Sequence, residues 1–237
     1  MRSVNIYKIL FFLLLVICFI YENKTRHFSQ HLERRGLIEI SPTHRKFAPA
    51  IRAWEKMIRT SDYSCDIAFF GNSLTNQSNF EDYFPNTSIA NFGWGGNTLL
   101  DMYYRTNLII ASHPKKIFIL GGTNDLFYVN KETLINRYER VVDALIDSLP
   151  NSKIYLQSIL PFNHSINKSL PSNKKVKEVN DLIRQLAEQK HLTYINLYDI
   201  YSVNDELNQK LTTDGIHLRR DIGYIEWSKA ISKYVEE

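Results

Sequence analysis

Cysteine is nearly absent: only Cys18 and Cys65 occur in 237 residues, and Cys18 lies inside an apolar run. That excludes a disulfide framework and a cysteine-built metal site. No lysine run or basic stripe occurs either. Of 29 basic side chains, Arg2 and Lys8 precede the apolar run, leaving 27 against 25 acidic ones. The folded part is therefore close to neutral, and no nucleic-acid partner is expected. Phosphate loops are missing as well. There is no G-K-[ST], and Thr98 stands where a G-x-G-x-x-G begun at Gly93 needs its last glycine. What is present is ordinary globular material, 44% hydrophobic and 23% charged, long enough for one domain with a full core.

There is one long apolar run, "ILFFLLLVICFIY" at residues 9–21, behind a short basic head. Residues 1–21 read as a signal anchor or a signal peptide. Small residues of the A-x-A kind are lacking after the run, which favours an uncleaved anchor. Counted from Val4, with Lys8 reaching the interface, the run is long enough to span the hydrocarbon. The expected location is the membrane, through this N-terminal helix, with the remaining domain outside the cytoplasm. The alternative is a secreted or periplasmic protein after cleavage. Residues 22–43 are polar and charged and read as a stalk.

From residue 44 to 237 the chain alternates two patterns. "HRKFAPAIRAWEKMIRT" has helical spacing through Phe47, Ile51, Trp54 and Ile58, with Pro49 close to its start. Short apolar runs follow at 66–70, 88–92, 116–120, 153–159 and 193–197, with helical patterns near 98–112, 131–148, 174–190 and 221–235. Such alternation means β-α-β units and a parallel sheet covered on both faces. The expected fold is α/β, a three-layer α/β/α sandwich of about five parallel strands. Ligands bind such sheets beyond the carboxyl ends of the strands.

Those ends carry the polar and glycine-rich segments: Gly71-Asn72-Ser73, then "NFGWGGNT", then Gly121-Gly122-Thr123-Asn124-Asp125, and "TTDGIHL" after the fifth strand. Singly, each has a plain reading. Ser73 can cap a helix, Asn124 can serve a turn, His217 can be a surface residue and Asp214 can cap its own loop. Together they match the needs of acyl transfer, namely a nucleophile, a base and an anion that fixes the base in one tautomer. Ser73, His217 and Asp214 fill those roles. The backbone N–H groups of Ser73 and Gly93 and the amide of Asn124 are the candidate oxyanion donors. No metal and no cofactor is required.

At these blocks, "FFGNSLT", "NFGWGGNT", "LGGTNDL" and "TDGIHL", the chain resembles the SGNH or GDSL-type hydrolases. The resemblance implies a flavodoxin-like sandwich, Ser73, Asp214 and His217 as catalytic triad, and Ser73, Gly93 and Asn124 as oxyanion hole. The family commonly has aspartate where Asn72 stands. "IYLQSILPFN" is similar to bacterial carbohydrate O-acetylesterases, including sialate O-acetylesterase-like members. The expected activity is hydrolysis of an acyl ester, acetyl first, on a glycan. Acyl transfer to an envelope glycan, lysophospholipid hydrolysis and a non-catalytic glycan-binding module are the alternatives. Asn72, Trp94, Phe127, Tyr128 and Phe162 are candidate pocket residues, and the aromatics among them serve equally well as core.

Overall fold

The computed structural model describes residues 28–29, 31–38 and 48–237. The expected anchor over 1–21 and much of the stalk lie outside the described residues. Among those described, no helix is long and apolar enough to cross a membrane. The chain divides into a unit ending at Ala50 and a second unit, Ile51–Glu237, which carries everything discussed below.

Five short strands form one parallel sheet: β1 (Ile67–Gly71), β2 (Ile89–Gly93), β3 (Lys116–Leu120), β4 (Lys153–Gln157) and β5 (Thr193–Ile195). Their spatial order is β2-β1-β3-β4-β5. β1 is buried at all five positions, as a central parallel strand must be. The two-residue period of the strands sorts their side chains into two cores. Ala68, Phe70, Ile117, Ile119, Ile154 and Leu156 face one side, and Ile67, Phe69, Phe118, Leu120 and Tyr155 face the other.

The first core is closed by α4 (Leu99–Tyr103), α5 (Thr106–Ala111), α6 (Lys131–Ser148) and α7 (Asn173–Gln189), through residues such as Met102, Leu108, Tyr138 and Ile183. Trp54 and Ile58 of α1 (Ala48–Thr60) pack on that side too. The second core is closed by α2 (Ser73–Asn76), α3 (Phe80–Tyr83), α8 (Tyr198–Tyr201) and α9 (Gly223–Glu236), with Phe80, Trp227 and Ile231 at its centre. The Trp227 ring is fully buried and its Nε1–H donates to Gln157 Oε1 at 2.6 Å. Each such large apolar side chain contributes roughly 1.5–3 kcal/mol by leaving water.

Three local departures from the sequence pattern have physical reasons. The helix expected at 98–112 is two helices, broken at Arg105, whose backbone leaves the helical range at φ −110°, ψ 3°. β4 and β5 end sooner than their apolar runs because the Ser158 hydroxyl replaces the next rungs, accepting from Leu197 N and Tyr198 N at 2.8 Å each. A two-residue antiparallel hairpin, β6 (Ser202–Val203) with β7 (Glu206–Leu207), gave no periodic signal. It is too short to show one.

The register sets the site. Gly71 pairs with Gly93 on one side and with Leu120 on the other, so three strands end level. The chain leaves β1 outward to β2 and then crosses back to β3. That reversal opens a crevice beyond the carboxyl ends of β1 and β3.

Candidate active site

β1 ends at Gly71, where there is no room for a side chain. An added Cβ would lie 2.2 Å from Thr75 Oγ1 and 2.7 Å from Leu120 O. Asn72 follows in extended conformation and caps α2, its Oδ1 accepting from Leu74 N at 2.9 Å. Ser73 is thereby placed at the first helical position, half-buried, at the carboxyl edge of the sheet. Capping falls to Asn72, which releases the serine hydroxyl for another partner.

That partner is 144 residues away. Ser73 Oγ lies 2.8 Å from His217 Nε2, and His217 Nδ1 lies 2.6 Å from Asp214 Oδ2. The segment holding Asp214 and His217 has no regular structure and is held mainly by its own contacts, with one brace from outside, Asn163 N–H donating to Gly215 O at 2.9 Å. Thr212 and Leu218 form a single antiparallel bridge across its base. Inside it, Asp214 Oδ1 accepts from Ile216 N at 2.9 Å and from His217 N at 2.8 Å. Gly215 sits at φ +85° with its Cα against Asn163, whose carbonyl oxygen would be 2.7 Å from any Cβ there. Only glycine fits that turn.

Partial burial pushes the Asp214 carboxyl up, but the His217 ring and the N–H groups of His217 and Ile216 outweigh it and hold the carboxyl below its usual range. An ionised Asp214 accepts, so His217 Nδ1 carries the proton and Nε2 is left to accept from the Ser73 hydroxyl. The arrangement can take a proton from Ser73 and hold it.

The oxyanion donors fall out differently. Asn124 is half-buried at the start of the 3-10 turn Asp125–Phe127, and its Nδ2 donates to Asn97 O at 2.8 Å, which fixes the plane of the amide. Gly93 is not placed to be the second donor. Its N–H is taken by Asn91 Oδ1 at 2.9 Å, and its Cα is pressed so close to α2 that a Cβ would fall 2.1 Å from Asn76 N. Its glycine is required for close packing of β2 on α2, not for donation.

Two candidate pocket residues are likewise core. Asn72 and Phe162 are each 1% exposed. The Asn72 Nδ2 is buried without a hydrogen-bond partner, a donor that an aspartate would not have. Trp94 and Tyr128 are half-buried, and Phe127 is 43% exposed with its ring edge-on to Phe162 at 6.0 Å. An open groove of about 640 Å³ lies beside the Asp214–His217 segment, lined by Gln77, Asp214, His217, Leu218, Arg220 and the Arg219–Asp221 pair. Among the described residues no three His, Cys, Asp or Glu side chains converge as a metal site.

Three residues that sequence reasoning passed over bind these pieces together. Asn91 ties β2 to α2 through Thr75 O at 2.8 Å and to the turn after it through Ser78 O at 3.1 Å. Asp125, fully buried, accepts from Leu99 N at 2.8 Å and pairs with Arg137 at 3.2 Å. Arg105 is buried at the break between α4 and α5. A lone arginine inside "LLDMYYRTNLII" was the available signal for the last.

The sequence profile of the GDSL-like Lipase/Acylhydrolase family matches residues 69–221. The chain belongs to that family. This acylhydrolase is an enzyme acting on ester bonds, and its blocks sit where the fold brings them together. Its sandwich superposes on a Streptococcus pneumonia protein provisionally described as a platelet activating factor (25% identity, 78% of this chain and 90% of that one, TM-score 0.71). It also superposes on a GDSL-like lipase from Bacteroides thetaiotaomicron VPI-5482 (21% identity, 81% and 96%, TM-score 0.66). An acetylxylan esterase from Geobacillus stearothermophilus, solved as a catalytic mutant with a serine replaced by alanine, shares the fold at 15% identity (73% and 94%, TM-score 0.60). Among curated proteins, N-acylneuraminate cytidylyltransferase of Streptococcus agalactiae serotype V is 20% identical over 152 residues, 64% of this chain. The acylhydrolase spans about a third of the length of that relative, 34%.

Proposed function

We propose that this chain is a serine esterase that removes a small acyl group, acetyl first of all, from a sugar hydroxyl. The observation that carries the reading is the unbroken path from Asp214 through His217 to Ser73, at 2.6 and 2.8 Å. Ser73 Oγ attacks the ester carbonyl carbon while its proton passes to His217 Nε2. The resulting oxyanion is met by the Ser73 N–H and the Asn124 amide. His217 then gives its proton to the leaving alcohol oxygen, the ester C–O bond breaks, and Ser73 is left acylated. Water, losing a proton to the same Nε2, attacks the acyl-Ser73 carbonyl. Collapse frees the acid and returns the proton to Ser73 Oγ.

In this reading the glycine donor moves from Gly93 to the Gly95–Gly96 turn. A Cβ at either glycine would meet nothing within 4 Å, which leaves room for a substrate carbonyl, and Asn97 of the same turn anchors Asn124. A glycan alcohol has room in the groove beside His217, where Gln77, Arg220 and the Arg219–Asp221 pair offer hydrogen-bonding groups alongside Leu218. Trp94 and Phe127 remain as the aromatic surfaces for a sugar ring. By their names, the acetylxylan esterases among the structural neighbours act on an acetylated glycan, and the curated relatives handle an N-acyl sugar acid.

The test is Ser73→Ala assayed with p-nitrophenyl acetate and with acetylated xylooligosaccharides. Turnover should fall by at least about 10⁴-fold. A variant that keeps its turnover ends the nucleophile assignment. Acetate released by the unaltered protein only in the presence of an acceptor sugar would point to transfer in place of hydrolysis.

A further inference from the structure

Arg105 is 1% exposed, and each nitrogen of its guanidinium is used. Nε donates to Asn97 Oδ1 at 2.7 Å, Nη1 to Phe92 O at 3.0 Å and Nη2 to Gly71 O at 3.1 Å. The three acceptors are neutral oxygens, and they belong to three different parts of the site. Gly71 lies two residues before Ser73. Phe92 is the second-last residue of β2, just ahead of the glycine-rich turn. Asn97 closes that turn, and its carbonyl takes the Asn124 amide at 2.8 Å.

Burial lowers the guanidinium's pKa to about 10, with Asp101 opposing, so it stays cationic at neutral pH. Its carbon lies 5.2 Å from the Phe70 ring centre and 5.7 Å from that of Trp94. A buried cation held by amide and carbonyl oxygens is costly, and a fold does not need one to close an apolar core. The position is filled by the one side chain whose planar fork reaches three acceptors in fixed directions.

We infer that Arg105 is the positioning residue of the oxyanion site: it locks the Gly95–Asn97 turn to the end of β1, two residues before Ser73, and, through Asn97, aims the Asn124 amide. The inference rests on the esterase reading. The strand ends supply the donors, and Arg105 sets the distance between them. The break between α4 and α5 falls where the side chain turns back toward the strand ends.

The experiment compares Arg105→Met, Arg105→Lys and Asn97→Ala with the unaltered enzyme. Sites are counted by fluorophosphonate labelling to completion, folding by Tm, and kcat and KM with p-nitrophenyl acetate. Affinity for a trifluoromethyl ketone, which forms a tetrahedral adduct, is measured alongside. Per labelled site, Arg105→Met should lose on the order of 10² in kcat with KM within about threefold, and ketone affinity should fall in parallel. Arg105→Lys should recover part of that loss. A folded, labelled Arg105→Met with kcat within about threefold of normal overturns the inference, because a merely structural arginine lowers Tm alone. Should Arg105→Met not fold, Asn97→Ala decides. It deletes one acceptor and keeps the other two, and kcat should drop on the order of tenfold at unchanged KM. Unchanged kcat there also overturns it. Absence of labelling in the unaltered enzyme would instead overturn the esterase reading on which this one stands.

Discussion

The two halves of the site are built by opposite means. Ser73 and the Gly95–Asn97 turn are fixed by the sheet: glycines at 71 and 93 allow backbone contact at distances no side chain permits, and Asn91 and Arg105 bind neighbouring strand ends. Asp214 and His217 sit on an irregular segment held mainly by local contacts, a Thr212–Leu218 bridge and hydrogen bonds spanning two or three residues, with one outside brace from Asn163 N–H to Gly215 O. The first half is precise because distant residues pack. The second is precise because one carboxylate fastens two backbone N–H groups and a ring at once. The halves meet where Ser73 Oγ hydrogen-bonds His217 Nε2 at 2.8 Å.

After loss of the Ser73 hydroxyl itself, the largest effect should come from the locally held half. Asp214→Asn keeps an oxygen for the Ile216 and His217 N–H groups, so the segment holds its shape, but the anion that sets the His217 tautomer is gone. We expect kcat to fall on the order of 10³ to 10⁴-fold with Tm nearly unchanged, as both pH-rate and melting measurements would report. Asp214 is half-exposed, so little packing is at stake. A loss below tenfold would mean that the segment is oriented without its charge.

Asn124→Ala comes next and probes the sheet-fixed half. Removing one oxyanion donor should cost on the order of 10² to 10³ in kcat and leave KM almost untouched. A change confined to KM would make Asn124 a binding residue. Gly93→Ala should behave in the opposite manner. Its Cβ meets the backbone of Asn76, which cannot rotate away, so the fold should lose about 1–3 kcal/mol in urea unfolding. Gly95→Ala, with open space around it, should leave stability as it was. Equal stability for the two variants would contradict the packing account of β2 on α2.

The same contrast decides what the sequence could reveal. The strands were readable because burial on both faces leaves unbroken apolar runs, and Lys131–Ser148 was readable because eighteen residues give several turns of period. Asp214 and His217 stood out because their relationship is local, three residues apart. Gly93 was misassigned for a physical reason: a glycine demanded by close packing and one demanded by an approaching substrate look alike in sequence, and only the Asn91 side chain on its N–H separates them. Phe162 and Asn72 failed likewise, since an aromatic or amide beside a strand end carries no mark of which way it faces. Arg105 and Asp125 depend on contacts between segments far apart in the chain, so nothing around either residue announces its partners.

The smallest effect distinguishes the halves by their response to acid. Asp125, next to Asn124, is fully buried, and burial pushes its carboxyl up to about 6 although Leu99 N–H and Arg137 pull it down; Asp101 adds to the rise. Between about pH 4 and 6 the folded state therefore keeps a proton that the unfolded chain has released. Stability from this group falls as pH rises through that window and is level above it, a change on the order of 2 kcal/mol. Asp214 has the reverse sign: its carboxyl is held low, so its contribution is present above the ordinary carboxylate range and lost as pH falls through its folded value. Urea unfolding of the unaltered protein and of Asp125→Asn at pH 4, 5, 6 and 7 isolates the first of these. The difference in stability should shrink toward pH 6 and then hold steady to pH 7. A constant difference across the series would show that Asp125 titrates alike in both states, and that the interior behind Asn124 is wetter than its packing implies.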